Sequence, residues 1–171
     1  KRYMGGISPI VAEDEYCADP AAVSLDDLIN SGEVRFDLGG ELEVGEPDCA
    51  VWTDGACNLG HSASGYVIKR NSSTEKSAWP MDDLRTPYAA EQCALVGALS
   101  RVGELDVSGL VVFNTDAQGL VAEISKESFK VPARIGVVKL MMRKLVENGW
   151  RVVLRWVPRE SNQEADRFVK E

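Results

Sequence analysis

Histidine is nearly absent from this 171-residue chain, which has only His61. The four cysteines, Cys17, Cys49, Cys57 and Cys93, form no CxxC pair. One imidazole and scattered thiols do not make up a zinc ligand set. The same spacing reads as reduced, mostly buried thiols rather than a disulfide frame. No apolar run approaches the roughly 18 residues of a membrane span, and no signal-peptide pattern is visible. The expected placement is intracellular, cytoplasmic or nuclear, with no membrane partner. The first residue is Lys1 and not Met, so the sequence reads as a piece of a longer or processed chain. Basic charge is also scarce, with 19 Lys and Arg against 27 Asp and Glu. A net charge of −8 argues against a nucleic-acid partner until the charge is mapped along the chain.

That map is uneven. Residues 1–50 hold 3 basic and 12 acidic groups, whereas residues 117–171 hold 11 and 7. The acidity sits in a leader, and the remainder can hold phosphates if its basic groups share a face. Hydrophobic content of 44% is enough for a real core in one domain. Composition divides the chain into an acidic extension or linker, residues 1–47, and a regular domain, residues 48–171. Within the leader, SLDDLI can start a short helix with Ser24 as its N-cap. EVRFDLGGELEV can form a hairpin around Gly39-Gly40. Two other roles stay open for this leader: an element packed away from the site, or an acidic flap lying across a basic substrate face.

From residue 49 the patterns are clear. CAVWTDG, SGYVIKR and TEKSAW read as three short strands of an antiparallel meander. PYAAEQCALVGALSRVGE has apolar residues at helical spacing. SGLVVFNTD is a continuous apolar strand, suited to burial on both faces. QGLVAEISK is a short helix. PARIGVVKLMMRKLVENGW is a longer one, opened by Pro132 and closed by Asn148-Gly149. RVVLRWV is a last buried strand, and a helix carrying Asp166 follows it. The order βββαβααβα predicts an α/β fold, a mixed sheet with an antiparallel edge and helices covering it.

Four carboxylates stand at element ends or on buried faces. Asp54 follows AVWT and Asp116 ends LVVFNT, where sheets with parallel centres gather ligands beyond the strand ends. Each also suits a plain turn-starting Asp. Glu91 precedes Ala94, Leu95, Ala98 and Leu99 at helical spacing, which puts it on the stripe facing the sheet. A carboxylate there is penalised unless something positive meets it. A metal ion would meet it, and so would a remote arginine such as Arg155. With Asp166, four oxygen-donor side chains and no His or Cys beside them suit Mg²⁺ or Mn²⁺. Two such ions can clamp the attacking and leaving oxygens of a phosphodiester.

WTDGACNLG, YAAEQCALVGAL, VVFNTDAQGLV and WVPRESNQEAD, in that order, resemble the type I ribonuclease H family over about residues 49–171. The style of the motifs is similar to modules of retroelement reverse transcriptases and to archaeal enzymes. The resemblance implies a five-stranded mixed sheet with three antiparallel strands first. It implies an endonuclease that hydrolyses the RNA strand of RNA–DNA hybrids with two Mg²⁺ ions, Mn²⁺ being a substitute. By position, Asp54, Glu91, Asp116 and Asp166 correspond to the family's catalytic, metal-binding acids. Asn58, Thr86, Arg159 and Asn162 correspond to candidate substrate contacts. The implied partners are the hybrid and an upstream polymerase domain of the same parent chain. There are departures. The loop Pro158 to Ser161 carries no His, only ESFKV joins the two central helices where a basic handle can sit, and Thr86-Pro87 stands where Thr-Asn is common. These departures keep two alternatives open: a weak or inactive structural or nucleic-acid-binding module, and another nuclease of the same fold acting on DNA.

Overall fold

A computed structural model describes residues 24–58, 61–81, 86–126 and 132–170. The ESFKV link, residues 1–23 and Cys17 lie outside them. Strand β5 (Leu110–Thr115) is buried at every position, as its unbroken apolar pattern requires of a central strand. Its neighbours β2 (Cys49–Asn58) and β6 (Arg151–Trp156) run parallel to it. β3 (His61–Arg70) and β4 (Ser73–Pro80) complete the expected antiparallel meander beyond β2. The turn expected at Asp54 is not there. β2 runs on through Asp54 to Asn58 because β3 pairs with it along that whole length.

The sheet has six strands in the order β1-β6-β5-β2-β3-β4, one more than the five expected. The sixth, β1 (Val34–Asp37), comes from the acidic leader and pairs parallel with β6, Val34 opposite Val152 and Asp37 opposite Arg155. The hairpin around Gly39-Gly40 does not form. Asp37 Oδ1 instead accepts the amides of Gly40 at 2.7 Å and Glu41 at 3.1 Å, turning the chain off the sheet. Leu42 and Val44 then cross the second face and cover Leu110, Val112 and Val153. Helix α1 (Asp26–Ser31) precedes β1, with its cap at Leu25 and not Ser24, although Ser24 Oγ accepts the Asp26 amide at 3.2 Å. Leu25 and Val34 are buried in the main core, each contributing about 1.5–3 kcal/mol on transfer grounds.

The first face of the sheet carries that core. Val51, Ile68, Phe113 and Leu154 meet helix α2 (Pro87–Gly103) through Leu95 and Leu99, and helix α4 (Ala133–Glu147) through Val138 and Met142. Helix α3 (Gln118–Ser125) adds Leu120, Val121 and Ile124. On the second face, helix α5 (Gln163–Lys170) lies across β2 and β3. It comes close because Gly65 has no side chain; a Cβ there would stand 2.8 Å from Val169 Cγ2. Among the described residues, no helix is long and apolar enough to cross a membrane.

Candidate active site

The ladder between β2 and β5 ends at Thr53 opposite Thr115. Asp54 and Asp116 are the next residues on the two strands, so the topology sets them side by side. Glu91 reaches the same place from the first turns of α2. One carboxylate oxygen from each of Asp54, Glu91 and Asp116 lies within 4.8 Å of the others. The three line an open cleft of about 810 Å³, with Asp166, Arg159 and Lys170 on its α5 side.

The electrostatics follow from this crowding. Asp54 is 4% exposed, and its Oδ2 has no hydrogen-bond partner. Burial, then the charge of Asp116, a hydrogen bond with Asp166 and the charge of Glu91 push its carboxyl well above the ordinary carboxylate range. Burial, then Asp116, pushes Glu91 up to about 7, with Arg159 acting weakly the other way. Arg155, the rival partner for Glu91, is engaged elsewhere. Its Nε donates to Asp37 Oδ2 at 3.0 Å and its Nη2 to the Leu42 carbonyl at 3.1 Å. Asp166 stands outside the tight trio. Burial works against its charge, but Lys170 and the hydrogen bond with Asp54 hold its carboxyl below the usual range. The Lys170 ammonium sits 3.1 Å from it.

A buried carboxylate oxygen without a partner, inside a set of oxygen donors only, fits a hard divalent cation. Asp54, Glu91 and Asp116 are the residues placed to hold it, with Asp166 adjoining.

The expected substrate contacts divide. Arg159 is exposed on the cleft wall, in a 3-10 turn over Arg159–Asn162. Thr86 is exposed, but its Oγ1 caps α2 by accepting the Ala89 amide at 3.0 Å. Asn58 ends β2 opposite His61, and its side chain lies outside the described part. Asn162 is no surface contact. It is 1% exposed, and its Nδ2 donates to the Thr53 carbonyl at 2.9 Å. That bond ties the start of α5 to β2 one residue before Asp54. His61 is exposed on the cleft rim.

Two features of the site escaped sequence reasoning. Gly55 touches the peptide that joins Ala90 to Glu91, and Ser64 bonds the Ala90 carbonyl. The hairpin register was the available signal, since pairing Asn58 with His61 puts Gly55 opposite Ser64.

A family model described as reverse transcriptase-like matches residues 52–171. No match was found among curated proteins. Several solved structures share the fold. Ribonuclease H1 of the halophilic archaeon Halobacterium salinarum is 19% identical, with a TM-score of 0.56 over 70% of this chain and 92% of its own. LC11 ribonuclease H1, isolated from compost and solved in complex with an RNA/DNA hybrid, is 22% identical, with a TM-score of 0.57 over 71% and 94%. A foamy viral protease-reverse transcriptase structure in complex with double-stranded DNA is 16% identical, with a TM-score of 0.58 over 75% and 96%.

Proposed function

The chain belongs to the reverse transcriptase-like family, and from that premise we propose that it is a metal-dependent nuclease hydrolysing the RNA strand of RNA–DNA hybrids. The observation that carries this reading is the trio Asp54, Glu91 and Asp116, one oxygen of each within 4.8 Å of the others, with no cation paired to Glu91 among the described residues. Three carboxylates this close repel one another unless a cation or protons neutralise them, and an all-oxygen donor set suits a hard divalent cation. The cluster is held together against its own repulsion by the sheet end and by α2.

Each residue has a part. Asp54 and Asp116 would hold the cation from adjacent strands and Glu91 from the helix, with Asp166 beside them on the cleft wall. Mg²⁺ held there, as one or two ions, would supply Lewis-acid chemistry: a more acidic attacking water and neutralisation of the charge that grows on the phosphate. Arg159 meets a backbone phosphate of the nucleic acid at the rim. Selection of the hybrid comes from groove shape and 2′-hydroxyl contacts and not from base sequence. With few basic groups in the cleft, affinity would come partly from a neighbouring polymerase domain of the parent chain.

The test is cleavage of labelled RNA–DNA hybrid, RNA duplex and DNA duplex, with Mg²⁺, with Mn²⁺ and with chelator. Hybrid cleavage that needs the metal is expected. Cleavage of the DNA duplex alone would move the protein to the DNA-directed nucleases of the same fold. Hybrid binding with no cleavage under any metal would make it a binding module.

A further inference from the structure

We propose that Ser64 is a positioning residue for Glu91, and that its hydroxyl sets how tightly the carboxylate cluster binds a divalent cation. The inference rests on the metal-dependent reading above. Ser64 lies on β3, fully buried, opposite Gly55 on β2. Its Oγ donates to the Ala90 carbonyl at 2.7 Å. Gly55 meets the same stretch of helix from the neighbouring strand. A Cβ at Gly55 would stand 2.3 Å from the Ala90 carbonyl carbon and 2.4 Å from the Glu91 amide nitrogen. Two adjacent strands therefore grip α2 at one peptide bond. Asp54 and Glu91 are the residues next to that grip, on the strand and on the helix.

The hold matters because of what opposes it. Without a cation, the charges of Asp116 and Asp54 work against that of Glu91 at the first turns of α2. Apolar packing resists weakly there. Ala89 and Ala90 form a small cluster with Met81 and Cys93, apart from the main core that grips α2 from Leu95 onward. The Ser64 hydroxyl is a directional bond at the end of the helix that carries the charge. A hydroxyl that merely found a partner in the core would affect stability alone. One that holds the cluster in its binding geometry also changes affinity for the ion.

The experiment is calorimetric titration of Mg²⁺ into the full chain near neutral pH, beside a melting curve for each protein. For Ser64→Ala the dissociation constant is expected to rise about tenfold or more, within the roughly 10–100-fold range of groups that orient metal ligands. Ile68→Val, on the same strand in the main core, is expected to melt earlier with an unchanged dissociation constant. Should Ser64→Ala fail to fold, Ser64→Cys leaves no void, replaces the hydroxyl by a larger and weaker donor, and is expected to move the constant in the same direction. A Ser64→Ala protein that binds Mg²⁺ like the wild type overturns this inference alone. A wild type that takes up no Mg²⁺ overturns the metal-dependent reading and this inference with it.

Discussion

Glu91→Gln keeps the shape of the side chain and removes its charge, which makes it the sharpest probe of the site. The Glu91 carboxyl stands at about 7, against an ordinary 4.5. A carboxyl raised by folding ionises more easily in the unfolded chain. The resulting cost is fully present above pH 7 and vanishes below about pH 4.5. At about 1.4 kcal/mol per pH unit, the interval from 4.5 to 7 sets a ceiling of about 3.5 kcal/mol. Glu91 keeps some solvent contact, so about 2–3 kcal/mol of gain is expected for the metal-free variant at pH 8. Urea unfolding in chelator at pH 8, 6.5 and 5 measures it. The variant should be the more stable protein at pH 8, and the gap should close as the pH falls. Saturating Mg²⁺ should shrink the gap by stabilising the wild type selectively, while hybrid cleavage by the variant falls by orders of magnitude. The opposite sign would refute the reasoning. A loss of about 3–5 kcal/mol at pH 8 would mean that Glu91 neutralises a buried cation that its removal strands.

Mg²⁺ at a hundredfold excess over its dissociation constant should stabilise the wild type by about 2.7 kcal/mol. A melting curve should show almost none of this for Asp54→Asn with Asp116→Asn, and equal shifts in both proteins would count against the cluster. Asp37→Ala should cost about 3 kcal/mol in urea, because it takes the carboxylate from Arg155, leaving it only the Leu42 carbonyl, and the acceptor from the Gly40 and Glu41 amides. Burial opposes the charge on Asp37, but the Gly40 amide and Arg155 outweigh it and lower its carboxyl below 3.8. Its stabilisation is therefore present above pH 3.8 and lost as the pH falls through the folded value, so acid unfolding of Asp37→Ala should have a shallower pH dependence. A chain starting at Pro47 should unfold at lower urea or aggregate, since β6 loses its edge partner and Arg143 loses the Asp27 carboxylate 2.7 Å away. If that shortened chain is as stable as the full one and binds hybrid more tightly at low salt, residues 1–46 act as a competing acidic flap instead.

Regular periodicity made the domain legible. β5 and β6 read as buried strands because each carries an unbroken apolar run, Leu110–Phe113 and Val152–Leu154, with no polar alternation, and α2 read as a helix because Ala94, Leu95, Ala98 and Leu99 recur at its period. Glu91 stood out for the same reason, as a charge on that stripe. The acids of β2 and β5 could be paired because parallel strands ending together is a rule of topology. The leader was harder. Its strand is four residues long and its partner is far off in sequence, while the nearby Gly39-Gly40 offered a local hairpin. Long-range pairing beat local turn chemistry because Asp37 turned its acceptors onto the glycine amides. Asn162 misled for a different reason. A polar residue four positions before Asp166 reads as exposed, and only the course of α5 over β2 shows that it is buried.

The pairing of β1 with β6 has a consequence for how the protein is made. Asp37 and Arg155 are 118 residues apart, so β1 waits for β6 to emerge from the ribosome. Such distant contacts slow closure of the sheet and leave apolar strands uncovered for longer. β5 is the strand most exposed to that delay, since β6 and the Leu42–Val44 crossing both shield it. Asp166 emerges later still, so the fourth carboxylate joins the cleft after the other three. A nascent chain whose β6 has not yet emerged would then carry an unclosed sheet, open to aggregation, together with a site that lacks Asp166.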